Sequence, residues 1–84
     1  MNEDQQRERA LSHRKRAAIL DHLASVDLEN GQQIAEAVGL PPAAAAYHLR
    51  VLVDADLVEQ VGTMFDHRGV AQNFYEAATG EPRR

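Results

Sequence analysis

The 84-residue sequence contains no cysteine, which excludes disulfide staples and thiolate metal sites at once. Its longest apolar run falls far short of the roughly 20 residues that a membrane helix needs, and its N-terminus is charged, without a signal-peptide core. A soluble, cytoplasmic protein is therefore expected. Catalytic signatures are lacking too. There is no phosphate-binding glycine loop, no nucleophile elbow and no carboxylate pair with an evident cleft. Asp54 and Asp56 stand two apart at an expected helix end and read as a solvated cap. His13, His22, His48 and His67 fall on separate elements, with no i, i+4 pair to hold a metal. No enzymatic activity, metal or cofactor is expected, although four histidines can make a domain pH-sensitive.

Positive charge is also scarce. The net charge is −4, where a nucleic-acid binder usually shows a basic excess. Its distribution is uneven. Residues 1–16 carry five basic against three acidic side chains, +2. Residues 17–40 carry four acidic and no basic ones, −4. Residues 41–84 carry four arginines against six acids, −2. The cations are concentrated at the head of the first expected helix, in Arg14, Lys15 and Arg16.

The sequence has room for one small core. Residues 1–9 are polar and read as a disordered lead-in. From Ala10 to about Ser25, Leu11, Ala18, Ile19 and Leu23, with Leu20 beside them, mark one buried face of a helix. Arg14, Lys15, Arg16 and Asp21 are placed on the opposite side, as a solvated face that can also clamp phosphates. Val26 to Gly31 is expected to be a loop, with Leu28 tucked into the core and Asn30-Gly31 capping the next helix.

Gln32 to Val38 is a second, short helix with Ile34, Ala35 and Val38 on its apolar side. Gly39 suits the left-handed position just past its end. Pro42 suits the first turn of a third helix, Pro42 to Ala55, whose buried stripe is Ala45, Leu49, Leu52 and Val53. Asp56 then stands where a left-handed cap is needed, less comfortably than glycine would. Leu57 to Phe65 and Val70 to Ala77 are β-prone and bracket Asp66-His67-Arg68-Gly69, which predicts a hairpin. Phe74 or Tyr75 is expected to close the core against the first helix. Thr79 to Arg84 is a tail.

A short helix, a glycine-cornered turn and a second helix form the unit that lays a helix in the DNA major groove. Tyr47-His48-Leu49-Arg50-Val51-Leu52 leads into Leu57-Val58-Glu59, after Ile34-Ala35-Glu36 and Gly39-Leu40-Pro41. Val61-Gly62-Thr63, Gly69 and the aromatic pair follow. Over residues 14–78 this order resembles the ArsR-like winged helix-turn-helix transcriptional regulators of bacteria.

The fold expected is thus mainly α with a small β-hairpin, three helices plus a two-stranded wing, over residues 10–78. The resemblance implies a homodimer on double-stranded DNA, with the third helix in the major groove and the wing beside it. Carried over by position, Ala43, Ala44, Ala46, Tyr47 and Arg50 lie on the recognition face and His67 and Arg68 at the wing tip, with Arg14, Lys15 and Arg16 as phosphate contacts. His48 faces partly inward. The family commonly places Ser, Thr or Gln where this sequence has alanines, so base readout would rest on Tyr47 and Arg50. Without the C-terminal helix many members dimerise through, the first helix and its N-terminal extension become the expected seam. The alternative is a winged helix that contacts another protein through its alanine face.

Overall fold

The helices and the hairpin follow the expected order, with one strand added: α1 (Arg14–Ala24), β1 (Glu29–Asn30), α2 (Gly31–Val38), α3 (Pro42–Asp54), β2 (Val58–Phe65) and β3 (Ala71–Ala77). The computed structural model describes residues 5 and 13–78. The polar lead-in (Gln5 apart), Ala10 and Leu11 of the expected first helix, and the tail 79–84 lie outside the described residues.

Each helix is held by local chemistry. The His13 imidazole caps α1 by accepting from the Lys15 backbone N–H at 3.1 Å. Asn30 closes a reciprocal capping box on α2: its Oδ1 accepts from the Gln33 N–H at 2.8 Å, and the Gln33 side chain accepts from the Asn30 N–H at 2.9 Å. These bonds satisfy donors that a helix start leaves unpaired. At the far end Gly39 takes φ 71°, and the Leu40 N–H reaches back to the Ala35 carbonyl at 2.9 Å. The same stop recurs after α3, where Asp56 at φ 61° precedes a Leu57 N–H bonded to the Leu52 carbonyl at 3.0 Å.

Ile19 and Leu23 of α1, Ile34 of α2, Leu49 and Leu52 of α3, and Val58 at the start of β2 are fully buried in one cluster. Each side chain of that size contributes about 1.5–3 kcal/mol by leaving water. Tyr75 and Ala77 of β3 pack on its edge. Of the two aromatic candidates it is therefore Tyr75 that lies against the core.

Four local expectations need correction. The hairpin is part of a three-stranded antiparallel sheet of order β1-β3-β2, with Glu29 opposite Tyr75 and Asn30 opposite Phe74. Part of the expected loop is therefore a strand, and Asn30 Nδ2 ties it to Gln72 Oε1 at 2.9 Å. Leu28 is 46% exposed rather than tucked into the core, because the strand that follows carries the chain along the sheet edge. Arg16 is buried, 9% exposed, on the same stripe as Ile19 and Leu23. Lys15 is half-buried, with its Nζ donating to the Val38 carbonyl at 2.9 Å. A cation there suits the negative end of the α2 dipole. Of the three cations assigned to a solvated face, Arg14 alone is exposed.

β2 and β3 pair from Val58 opposite Ala77 to Phe65 opposite Ala71, with a bulge at Val61. The extra residue shifts the alternation, so that Gln60 and Thr63 share a face with Asn73 and Tyr75. No helix among the described residues is long and apolar enough to cross a membrane.

Candidate nucleic-acid interface

The outward side of α3 follows from its inward one. Ala45, Leu49 and Leu52, with His48, are buried, and a helix of 3.6 residues per turn then turns 43, 46, 47 and 50 away from the core. Ala43, Ala46, Tyr47 and Arg50 are exposed and Ala44 is half-buried. Tyr47 is 58% exposed, a large amphipathic ring held in the open. The alanine methyls offer only apolar contact, whereas Tyr47 and Arg50 can hydrogen-bond.

Beside this face stands the sheet. Ala46, Tyr47 and Arg50 line one wall of a depression of about 520 Å³; Gln60, Asn73 and Tyr75 line the opposite wall. Asp54 lines it as well and places a carboxylate in the same depression as Arg50. A second depression of about 310 Å³ joins Pro42 and Ala46 of α3 to Arg68, Gln72 and Asn73 of the hairpin. Helix and hairpin thus share one concave surface. Gln60 and Asn73 were not among the expected site residues. The β3 alternation of Ala71, Asn73, Tyr75 and Ala77 puts Asn73 on the core-side face and is the signal that identifies it. Thr63 Oγ1 donates to Asn73 Oδ1 at 2.8 Å, which orients that carboxamide.

At the hairpin tip the chain turns through Asp66. Its Oδ1 accepts from the backbone N–H groups of Arg68 at 2.8 Å and Val70 at 3.0 Å, and its Oδ2 accepts from the Arg68 guanidinium at 3.1 Å. The Val70 N–H, with those of Arg68 behind it, holds the Asp66 carboxyl below its ordinary range. Arg68 is thus exposed but already paired to an anion, which reduces the charge it offers a phosphate. His67 is exposed beside it.

Beneath α3, Arg16 Nε donates to His48 Nδ1 at 3.1 Å. The Arg16 guanidinium carbon lies 5.8 Å from the centroid of the Tyr47 ring, within cation–π range. The His13 ring is 4.4 Å from that of His48, and Tyr47 meets His48 edge-on at 5.4 Å. Burial lowers the His48 pKa, and His13 and Arg16 beside it lower it further. Arg14 stands apart on the exposed side of α1. The expected cluster Arg14-Lys15-Arg16 is therefore divided among solvent, the end of α2 and the underside of α3.

Residues 11–61 match the family model described as a helix-turn-helix domain. Solved structures share the fold. A possible transcriptional regulatory protein from Mycobacterium bovis (fragment 1–100) superposes with a TM-score of 0.73 at 29% identity, over 90% of this chain and 74% of that one. NolR from Sinorhizobium fredii gives 0.71 at 26% identity, over 93% and 71%. A solution structure of a homodimeric winged helix-turn-helix DNA-binding domain from M. bovis, a possible ArsR-family transcriptional regulator, gives 0.72 at 26%, over 90% of this chain. The chain spans 64% of that domain's length. No curated protein sequence matches it.

Proposed function

Because the chain belongs to the helix-turn-helix domain family, we propose that it is a DNA-binding transcriptional regulator of the ArsR-like winged type. α3 enters the major groove, Tyr47 and Arg50 read base edges, and the β2–β3 hairpin lies along the neighbouring backbone or minor groove. Ala43, Ala44 and Ala46 supply close apolar contact, with thymine methyls where the sequence offers them. Arg14, and Arg68 with His67 at the hairpin tip, meet phosphates. Lys15 and Arg16, drawn into the fold, contribute through the field they set up more than by direct contact.

One observation carries this assignment: the side of α3 opposite Leu49 and Leu52 is left uncovered by the described residues, with the hairpin alongside. The assembly belongs to the same proposal. Two copies meeting along the first helix would present two α3 helices to a two-fold site. Its support is the exposed Ala17, Asp21 and Ala24 side of α1, which the other described elements do not cover.

Duplexes selected from a random pool, titrated at two salt concentrations, test the proposal. We expect enrichment of an inverted repeat and an affinity that falls steeply with salt, because released counterions drive phosphate binding. Arg50→Ala should lose roughly tenfold or more of that affinity, the worth of a charged base contact. Net charge and the exposed Met64, Phe65 and Val70 of the hairpin favour a second use, contact with another protein. That use predicts negligible DNA binding at physiological salt, and a partner lost on Ala44→Glu or Ala46→Glu.

A further inference from the structure

Burying a guanidinium is costly unless it is paired and hydrogen-bonded, yet Arg16 sits among the core residues of α1 with its Nε aimed at α3. Its acceptor there is an imidazole nitrogen, and an imidazole accepts at Nδ1 only while neutral with its proton on Nε2. Tyr47, the neighbour of His48 in sequence, is touched from below by both partners: the guanidinium lies over its ring and the imidazole meets it edge-on. Tyr47 is also the one large side chain on the first two turns of the presented face.

We propose that Arg16 is a positioning residue for the DNA-reading face: through neutral His48 it holds Tyr47 in its presented orientation, so that acidification releases Tyr47 and weakens sequence-specific binding. This rests on the DNA-binding assignment above. Protonating His48 turns its Nδ1 from acceptor to donor and sets two N–H groups and two positive charges against each other at 3.1 Å. The ionisable groups bearing on His48 among the described residues are Arg16 and His13, from α1 and its cap, and Tyr47 within α3. Neither Arg16 nor His13 is an anion that would stabilise an imidazolium. The bond must break, and the Tyr47 ring loses the pair that supports it.

The sign distinguishes this effect from bulk charge. As pH falls, any added positive charge on the protein strengthens attraction to every phosphate backbone alike, whatever its sequence. Release of Tyr47 instead lowers the preference for the selected sequence over a scrambled one. Specificity is full above the ordinary imidazole range of about 6.5 and declines as pH falls through the His48 transition below it.

Two measurements on the full chain test this. Between about pH 8 and about pH 5, spanning the imidazole range, NMR of the free protein follows the rings of His48, Tyr47 and Tyr75, and a parallel titration follows the ratio of affinities for the selected and scrambled duplexes. We expect the Tyr47 signals to move with those of His48 while Tyr75 does not follow. The ratio should fall about tenfold, the worth of a hydrogen bond to a charged group. His48→Gln, which keeps an acceptor for Arg16 but takes no proton, should flatten both profiles. Arg16→Met, which keeps much of the aliphatic stem, should show the reduced ratio already at the alkaline end.

Tyr47 signals independent of His48, an unchanging ratio, or the wild-type profile retained in His48→Gln would each overturn the proposal. Should His48→Gln fail to fold, the wild-type ring titration and Arg16→Met decide it. Failure of the wild type to bind any duplex would instead overturn the DNA-binding assignment, and the ring titration then judges the positioning of Tyr47 by itself.

Discussion

Gly39 and Asp56 do the same work at the ends of successive helices, at φ 71° and 61°, with unequal side chains. An added Cβ at Gly39 meets nothing within 4 Å, so the cost of a side chain there is backbone strain alone. Gly39→Ala should lower stability by about 1 kcal/mol, the ordinary left-handed penalty. Asp56 already bears such a penalty. Asp56→Gly should therefore raise stability by about 0.5–1 kcal/mol, seen as a thermal midpoint several degrees higher. An unchanged or lower midpoint would show that the Asp56 carboxylate compensates for its backbone. Both positions were legible in the sequence, since each follows an apolar stripe that stops. Arg16 was legible in principle: 16, 19 and 23 lie three and four apart, the spacing of a buried stripe. Its charge argued for solvent and hid the pattern, because whether an arginine can be buried depends on a partner 32 residues away.

At the scale of elements, Asn30 is the hinge between sheet and helix. Its carboxamide caps α2 through Oδ1 and holds β3 through Nδ2. Asn30→Ala removes both and should cost about 2 kcal/mol, roughly one for the cap and one for the side-chain bond. Asn30→Ser keeps a capping oxygen but cannot reach Gln72, and should lose about half as much. Chemical denaturation of the two variants separates the contributions; equal losses would mean that the Gln72 bond contributes nothing. The capping role was readable from Asn30-Gly31 standing before an apolar run. The strand was not. Two residues cannot display a period, so β1 exists only because β3 lies within reach to pair with it. Gln60 escaped notice for a related reason: the bulge at Val61 decides which face each β2 side chain takes, and a bulge leaves no mark on the hydrophobic pattern, whereas Asn73 was legible in the alternation of β3.

For the whole molecule, the net charge of −4, the inward use of Lys15 and Arg16 and the pairing of exposed Arg68 to Asp66 leave Arg14 and Arg50 as the principal exposed cations of the proposed interface among the described residues. Affinity for random DNA should accordingly be weak, and two-fold assembly becomes the means of reaching a useful affinity, since two linked half-sites combine their free energies. Sedimentation should give about twice the 9.3 kDa of one chain. Ala17→Arg, on the uncovered side of α1, should shift that mass toward one chain and weaken binding to an inverted repeat more than to a single half-site. A single-chain mass in the wild type, or a dimer indifferent to Ala17→Arg, would remove the first helix as the seam.

The order of the three helices and the β2–β3 hairpin, the Asn30 and Gly39 ends of α2 and the apolar positions of the helix stripes were determined by the sequence alone, because helical periodicity, glycine and proline geometry and side-chain capping act over a few residues. Tertiary structure decided the fate of the charges. Lys15 bonds to the end of α2, Arg16 to His48 and Arg68 to Asp66, and a long cationic side chain reaches water or a neighbour according to what is packed across from it. The surface that α3 presents is therefore a local property of its sequence. The underside that holds Tyr47 there is a property of the fold.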